Sequence, residues 1–255
     1  MPSHPATSGT PVMPISEIAP LSRERSLPER VAERMLQLIT SKGWEQGKRI
    51  PPERDLAVAF GVSRTVIREA VKTLEARGVL ENRMGSGVYV RQTDSTIFAS
   101  SLKTYVQLAG SSEIRKQLVE IRRILEIGIA QLAAERATPE QCAELLAICQ
   151  RMRNRGLTPH EMADLDFQFH TLLAQATQNE MFRVMLAPLI EQLHDVFVAT
   201  WDGYGKRPVS RVQKQHEAIA NAVARGDAQA AQVAMTNHMD YSMQVFTSIT
   251  SKPKH

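Results

Sequence analysis

Two short helical patterns separated by a tight break lie between Pro52 and Gly78, and they limit the possible folds of this chain more than any other feature. The first pattern ends at Gly61-Val62, and Ser63 follows as a good N-cap for the second. In the second, apolar residues recur at the i, i+3, i+4, i+7 spacing of one helix face: Ile67, Ala70, Val71 and Leu74. The segment therefore predicts a helix-turn-helix with this stripe buried.

The neighbouring residues extend this motif on both sides. A helical pattern over about 28–43 precedes it, and two strand-like runs, 79–82 and 88–91, follow it. The glycines of Gly85-Ser86-Gly87, between the two runs, permit a tight hairpin. Three helices and a hairpin are typical of a winged helix-turn-helix, so we predict a DNA-binding domain over residues 23–91.

The predicted second helix carries polar residues on its outer face. With the apolar stripe turned inward, Arg64, Thr65 and Arg68 lie near its N-terminal end, which in such motifs meets base edges in the major groove. An arginine there can bind guanine O6 and N7 together. Arg54 is placed to reach a phosphate or a base, and the backbone of Gly85, Ser86 and Gly87 to approach the minor groove. The alternative is an ordinary solvated face, since exposed arginines are common.

In residue type and spacing, the stretch from about Val31 to Val90 resembles the N-terminal domain of the GntR family of bacterial transcription regulators. The resemblance is carried by Pro52–Ala57, Gly61–Ala70 and Leu74–Leu80. It implies a regulator that binds double-stranded operator DNA. A palindromic operator is expected, because a homodimer matches its two-fold symmetry.

Charge and composition agree with this expectation without proving it. The chain carries a net charge of +4, and residues 21–95 hold 14 basic and 10 acidic side chains. No stretch approaches the roughly 20 apolar residues of a membrane helix, so no membrane-spanning segment is expected. Two cysteines, Cys142 and Cys149, give no disulfide framework. We therefore expect a bacterial cytoplasmic protein.

Beyond the winged domain, the patterns become almost wholly helical. Residues 1–22 have no periodicity and are predicted to be a disordered tail, and 92–96 a polar linker. Residues 97–250 are predicted to form an all-helical effector-binding and dimerisation domain. Its expected seven helices lie near 97–109, 112–136, 138–155, 158–176, 180–201, 207–225 and 227–249. The predicted fold class is thus mostly α, a winged helix-turn-helix followed by a helical bundle.

Four polar residues in these helices form a candidate metal site. Asp166 and His170 are four residues apart and share one helix face. His216 and His238 lie in two later helices, and a carboxylate with three imidazoles can bind a divalent ion such as Zn²⁺. From spacing alone, unrelated surface histidines remain the alternative.

The helical part resembles the ligand-binding domain of the FadR subfamily of GntR regulators, the FCD domain. Many members bind a metal ion through an Asp-x3-His on one helix and a His on each of two later helices. Asp166, His170, His216 and His238 match all four positions. The resemblance implies a divalent metal, with zinc expected and nickel or manganese as alternatives.

Arg122 matches an arginine that often pairs with an acidic ligand in this subfamily. A guanidinium suits a carboxylate because it offers two parallel charged hydrogen bonds. A small organic acid is therefore the expected effector. Pairing of Arg122 with Glu126, four residues further on, is the alternative.

Three functions remain open from the sequence. The first is a transcription regulator controlled by a small carboxylate bound near the metal. The second is a metal-dependent enzyme domain fused to a DNA anchor, although no general base or nucleophile accompanies the cluster. The third is a DNA-binding regulator with a purely structural metal.

Overall fold

The computed structural model describes residues 25–41, 43–92, 96–110, 112–203 and 206–250. The predicted tail, 1–22, lies outside the described residues, as do 23–24 and positions 93–95 of the predicted linker. The chain divides into two compact units, Met1–Gln92 and Thr93–His255. No helix among the described residues is long and apolar enough to cross a membrane.

Unit 1 contains three helices and a two-stranded sheet, in the order α1 (Leu27–Thr40), α2 (Glu53–Phe60), α3 (Arg64–Ala76), β1 (Leu80–Arg83) and β2 (Gly87–Val90). Gly61 ends α2 with a left-handed backbone (φ 65°), which glycine adopts at little cost. The Ser63 side chain then caps α3 by accepting from the Val66 amide at 3.3 Å. The break between α2 and α3 therefore lies where the sequence predicts it, with Gly61 and Ser63 in the predicted roles.

The apolar stripe of α3 is buried against α1 and the sheet. The core of unit 1 includes Met35 from α1, Ile67 and Leu74 from α3, and Leu80 from β1. The strands pair antiparallel, with Leu80 opposite Val90 and Arg83 opposite Gly87. Arg49 also forms a bridge to Tyr89, an edge contact that no sequence pattern predicted.

Unit 2 is all-helical in its described residues. Its helices are α4 (Thr96–Ala109), α5 (Ser112–Arg136), α6 (Pro139–Met152), α7 (Pro159–Ala176), α8 (Glu180–Glu191), α9 (His194–Gly203), α10 (Lys206–Ala224) and α11 (Ala228–Thr250). Helix α7 packs against α5, α6, α8 and α9, while α10 and α11 pack against each other and against α5. Residues on α5, α7, α10 and α11 can therefore meet inside the bundle.

The described part of unit 2 holds eight helices, so the predicted count of seven was wrong. The helix expected over 180–201 is divided into α8 and α9 by a turn at Gln192 and Leu193. There the Leu193 amide bonds the Ile190 carbonyl, three residues back, which tightens the chain. Leu193 is fully buried beside Phe246 and Leu118. Tertiary packing therefore accompanies this break, which follows Pro188 of α8 by four residues.

Strong local signals fix the start of α7, the helix that supplies two candidate ligands. Thr158 caps it by accepting from the Glu161 amide at 3.2 Å, and Glu161 accepts from the Thr158 amide at 2.7 Å. This reciprocal pair is a capping box, with Pro159 in the first turn. After the C-terminal end of α7, Asn179 caps the next helix, α8, by accepting from the Met181 amide.

We predict that two adjacent leucines on α6 differ sharply in their effect on stability. Leu145 is fully buried and Leu146 is 38% exposed. Leu145→Ala should lower the free energy of unfolding by about 2–5 kcal/mol, because it leaves a cavity in the core. Leu146→Ala serves as the matched control and should cost under about 1 kcal/mol. Urea denaturation followed by circular dichroism measures both, and equal losses would contradict this packing.

Candidate metal centre and nucleic-acid interface

The four predicted metal ligands meet inside unit 2. Asp166 and His170 come from α7, His216 from α10 and His238 from α11, and all four are buried. Each offers one ligand atom, and these atoms all lie within 4.8 Å of one another. The structure therefore brings together residues that are up to 72 positions apart in the chain.

The distances within this cluster suit a small divalent ion. His216 Nε2 lies 3.3 Å from Asp166 Oδ1 and 3.4 Å from His170 Nε2. His170 Nε2 lies 3.8 Å from Asp166 Oδ1. Tetrahedral zinc with ligands about 2.0–2.1 Å away separates its donor atoms by about 3.3 Å. The His238 ring lies 4.6 Å from that of His216, between centroids. Three donor-atom distances, 3.3, 3.4 and 3.8 Å, are thus close to this spacing, and the donor set suits a divalent ion.

Burial sets the protonation of these ligands. It lowers the pKa of His170, His216 and His238 well below 6.5, and the positive charge of Arg122 lowers all three further. Burial raises the pKa of Asp166 to about 6, although Arg122 opposes the shift. At neutral pH the site therefore offers three neutral imidazoles and one carboxylate, the forms that bind a metal.

Arg122 and Glu126, on α5, lie beside this cluster. Both side chains are 1% exposed, and Arg122 Nε donates to Glu126 Oε1. Arg122 Nη2 is 3.8 Å from Asp166 Oδ2, an ion-pair contact, yet it makes no hydrogen bond within the described part of the chain. The guanidinium carbon lies 4.8 Å from the centre of the Phe197 ring. The alternative pairing of Arg122 with Glu126 is thus present, and it leaves the buried Nη2 amino group, with its two N–H donors, without a hydrogen bond among the described residues.

Glu126 is a member of this site that the sequence analysis did not assign to it. Its Oε2 lies against His170 Nδ1, on the side of the ring away from the cluster. Burial raises the pKa of Glu126, and the charge of Arg122 opposes this shift. The four-residue spacing to Arg122 was visible in the sequence, but the contact with His170 joins different helices and had no local signal.

The other histidines of this region stay outside the cluster. His194 is partly exposed, with Nε2 3.0 Å from Asp164 Oδ1, and His160 is exposed on α7. Neither matched the metal pattern in the sequence. Substitutions of these surface histidines can therefore serve as controls for substitutions of the buried ones.

The predicted DNA-contacting residues of α3 lie at its solvent-exposed N-terminal end. Arg64, Thr65 and Arg68 are all exposed, while Ile67 between them points into the core. Arg64 has no hydrogen bond or ion pair to another described residue. Arg68 is held by Glu53 of α2, with Nη2 3.1 Å from Oε2 and Nε 3.4 Å from Oε1. Arg64 is thus exposed without a described partner, whereas Arg68 is paired with a carboxylate of α2.

Arg54 and the hairpin tip complete the candidate interface. The Arg54 side chain is 83% exposed, and its contact with Asp55 is a surface pair of little energetic weight. Gly85 has a φ of 71° and open space around it, and Ser86 shares a 2.6 Å hydrogen bond with Tyr89. A Cβ at Gly87 would lie 2.5 Å from Arg49 Nε, so a larger residue would force a shift there. The tip can therefore bring its backbone close to a nucleic acid.

Comparison with known proteins identifies families for both units. The family described as "Bacterial regulatory proteins, gntR family" matches residues 27–90, and the FCD domain matches residues 117–241. The chain is 32% identical over 205 residues to the HTH-type transcriptional regulator LutR of Bacillus subtilis (strain 168). That match covers 79% of this chain and 93% of LutR.

Other relatives and a solved structure agree. A protein of Escherichia coli (strain K12), provisionally named as the regulatory protein of the L-lactate dehydrogenase operon, is 32% identical, with 85% of each chain covered. The Uxu operon transcriptional regulator of the same strain is 31% identical, with 83% of each covered. The structure of Streptococcus agalactiae GntR superposes with a TM-score of 0.68 at 27% identity, covering 85% of this chain and 99% of that one.

We predict that removing one buried imidazole lowers the metal content of the purified protein. His216→Ala or His238→Ala deletes a ligand atom from the cluster, so occupancy after dialysis should fall well below that of the wild type. His194→Ala, outside the cluster, is the matched control and should retain wild-type occupancy. Elemental analysis gives the answer, with circular dichroism to verify folding. Unchanged metal content in both cluster variants would refute the site.

Proposed function

The chain belongs to the GntR family of bacterial transcription regulators and carries an FCD domain in its C-terminal part, and from this premise we propose that a small carboxylate, bound beside a divalent metal ion, controls its affinity for operator DNA. The families and relatives that it matches are regulators, so the chain is a DNA-binding transcription regulator and not an enzyme. The alternative of a metal-dependent enzyme is thereby set aside.

The unsatisfied Nη2 amino group of Arg122 is the observation that carries the effector proposal. Nη2 is buried without a hydrogen bond in the described part of the chain, and such a group costs free energy until a partner satisfies it. It faces Asp166, a member of the metal cluster, at 3.8 Å. A ligand placed here would touch the guanidinium and the metal site together.

Charge favours an acidic ligand over a neutral one. With a divalent ion bound and Asp166 and Glu126 ionised, the positive charges of the ion and Arg122 exceed the negative ones by one. A single carboxylate compensates that excess, and an uncompensated charge is costly in a buried site. A hydroxyl beside the carboxylate adds an oxygen for the metal. Lactate has this chemistry, and one relative is provisionally named for an L-lactate dehydrogenase operon.

Asp166, His170, His216 and His238 are the residues that would hold the ion. It supplies a Lewis-acid centre for the effector oxygens. Zinc is the expected ion because of the imidazole-rich donor set, with nickel and manganese as alternatives. Because four protein ligands would fill a tetrahedral shell, an effector oxygen could bind only if the ion accepts a fifth ligand, as zinc at times does, or a sixth. An ion that stays in a closed four-ligand shell would be purely structural and would not bind the acid.

The exposed arginines of unit 1 support operator recognition by α3. Arg64, which has no described partner, is the strongest candidate for a bidentate contact with guanine, with Thr65 and Arg68 beside it. Arg54 and the backbone of Gly85, Ser86 and Gly87 would add phosphate and minor-groove contacts. Phosphate contacts fix the position of the protein on the duplex, and base contacts select the sequence.

A homodimer is the expected assembly. Helix α5 exposes Ile121 (47%) and Ile124 (67%), one turn apart on its outer face. None of the residues of the apolar helix α4 is buried, and Leu108 is 83% exposed. Exposed apolar faces of this kind are typical of association surfaces. A second copy would cover them and match a palindromic operator.

We predict that arginines of the recognition helix determine operator affinity and sequence preference. Arg64→Ala and Arg68→Ala should each weaken binding by about 1–3 kcal/mol if their base contacts are bidentate. Arg77→Ala, at the opposite end of α3, is the charge-matched control and should have a smaller effect without changing base preference. Selection from random oligonucleotides supplies the operator, and fluorescence anisotropy gives the affinities. Wild-type affinity and preference in both variants would contradict this assignment.

We also predict that Arg122 determines the response to an acidic effector. Arg122→Ala should lose the response and still bind operator, because unit 1 is unchanged. Arg122→Lys keeps a positive charge beside Glu126 but lacks the planar fork. Its response should need about tenfold to hundredfold more acid, the loss expected for a charge-assisted hydrogen bond of about 1.5–3 kcal/mol.

The experiment titrates a panel of hydroxy and sugar acids, L-lactate included, against the protein–operator complex. Arg123→Lys is the control, since the neighbouring Arg123 pairs with Asp240 at the surface and not with Glu126. Melting curves of all variants exclude unfolding as the cause. If Arg122→Ala responds to the same acid at the wild-type concentration, Arg122 is structural and the acidic effector loses its support.

A further inference from the structure

The two carboxylate oxygens of Glu126 contact two different members of the site. Oε1 accepts from Arg122 Nε, and Oε2 lies against His170 Nδ1. The side chain is 1% exposed, so water is largely kept from competing for either oxygen. Neither Oε2 nor His170 Nδ1 has a hydrogen-bond partner of ordinary geometry in the described part of the chain, and the contact between the two atoms is an ion-pair contact. One carboxylate therefore joins the metal cluster to the candidate effector arginine.

The orientation of His170 shows why this contact matters. Its Nε2 faces the cluster, 3.4 Å from His216 Nε2, and its Nδ1 faces Glu126. A neutral imidazole carries one proton, and the nitrogen that binds a metal must be the one without it. A carboxylate at Nδ1 holds the proton there and makes Nε2 the more basic ligand atom.

Among the described residues, only one of the three imidazoles has a carboxylate against its Nδ1 atom. None of their Nδ1 atoms has a hydrogen bond of ordinary geometry to a described residue. Of these atoms, only that of His170 forms a described contact with a carboxylate on this side of the ring. His170 is thus the imidazole whose Nδ1 faces a carboxylate in the described part of the chain.

We propose that Glu126 is a positioning residue that couples the metal centre to the effector site, by fixing the proton of His170 on Nδ1 and holding the guanidinium of Arg122 through Nε. The proposal rests on the proposed function, since it deepens the role of the same site. Glu126 touches neither the metal nor the effector. It orders the two side chains that do, so occupancy of one site affects the other through a single carboxylate.

Replacing Glu126 by glutamine distinguishes the positioning of His170 and Arg122 from a role in packing alone. Arg122 Nε–H and His170 Nδ1–H both need an acceptor, and a glutamine has only one oxygen. If its oxygen accepts from Arg122, its amino group faces His170 Nδ1 and favours the proton on Nε2. That tautomer cannot bind a metal through Nε2. Glu126→Gln should therefore impair metal binding although its size is almost unchanged.

The test compares wild type, Glu126→Gln and Glu120→Gln as full-length chains. Glu120 is an exposed residue of the same helix and serves as the matched control. Chelator competition with Zn²⁺ gives the metal affinity, and ¹⁵N chemical shifts of the histidine rings give the tautomer in metal-free protein. The His170 signals are identified by their loss in His170→Gln. Zinc affinity should fall about tenfold to hundredfold in Glu126→Gln and stay at the wild-type value in Glu120→Gln.

The proton of His170 should lie on Nδ1 in the wild type and move to Nε2 in Glu126→Gln. Wild-type zinc affinity in a folded Glu126→Gln protein would overturn the proposal. So would a wild-type His170 with its proton on Nε2, a result that needs no variant to fold. If the wild type binds no zinc, the metal part of the proposed function fails, while the tautomer measurement still tests Glu126.

Discussion

The burial of charged and polar side chains within the helices of unit 2 is the constraint on which the rest of this structure depends. Apart from Thr177, all the buried polar side chains of the described residues belong to one group: Arg122, Glu126, Asp166, His170, His216 and His238. Burying an ion costs several kcal/mol unless partners compensate it. The group reduces this cost through the Arg122–Glu126 pair and its neutral imidazoles, and a bound cation would reduce it further. This buried group is therefore the candidate binding site of unit 2.

The two units differ in how their polar side chains are placed: those of the candidate DNA interface are exposed, and those of the candidate metal centre are buried. Unit 1 presents exposed arginines on a rigid helix, whose position is fixed by the buried stripe of α3 and by the Ser63 cap. Unit 2 holds the four candidate metal ligands on three helices, α7, α10 and α11, and Arg122 on a fourth, α5. A bound ion or acid would therefore stabilise the packing of these helices together. A ligand that binds one state of a protein better than another shifts the equilibrium by that difference in affinity. Under the proposed function, control of operator binding requires only that the acid prefer one state of the proposed dimer.

Local signals explain which parts of this molecule were predictable. Helix caps, the glycine after α2 and the stripe of α3 act within a few residues, so the winged fold and the start of α7 followed from the sequence. The metal ligands were placed by resemblance, since spacing alone left surface histidines as the alternative. The break at Leu193, the bridge from Arg49 to Tyr89 and the contact of Glu126 with His170 depend on distant partners. Such contacts leave no periodic trace in the sequence.

In the proposed function, metal and acid act on the operator complex through one site. To test this, the wild-type protein–operator complex is titrated with L-lactate and related hydroxy acids, once with the metal-loaded protein and once after removal of the metal by a chelator. We expect that an acid of this class changes operator affinity in the loaded protein, and that removal of the metal abolishes the response or weakens it at least about tenfold. An equal response in the metal-free protein would show that the acid acts without the metal and would refute a shared site.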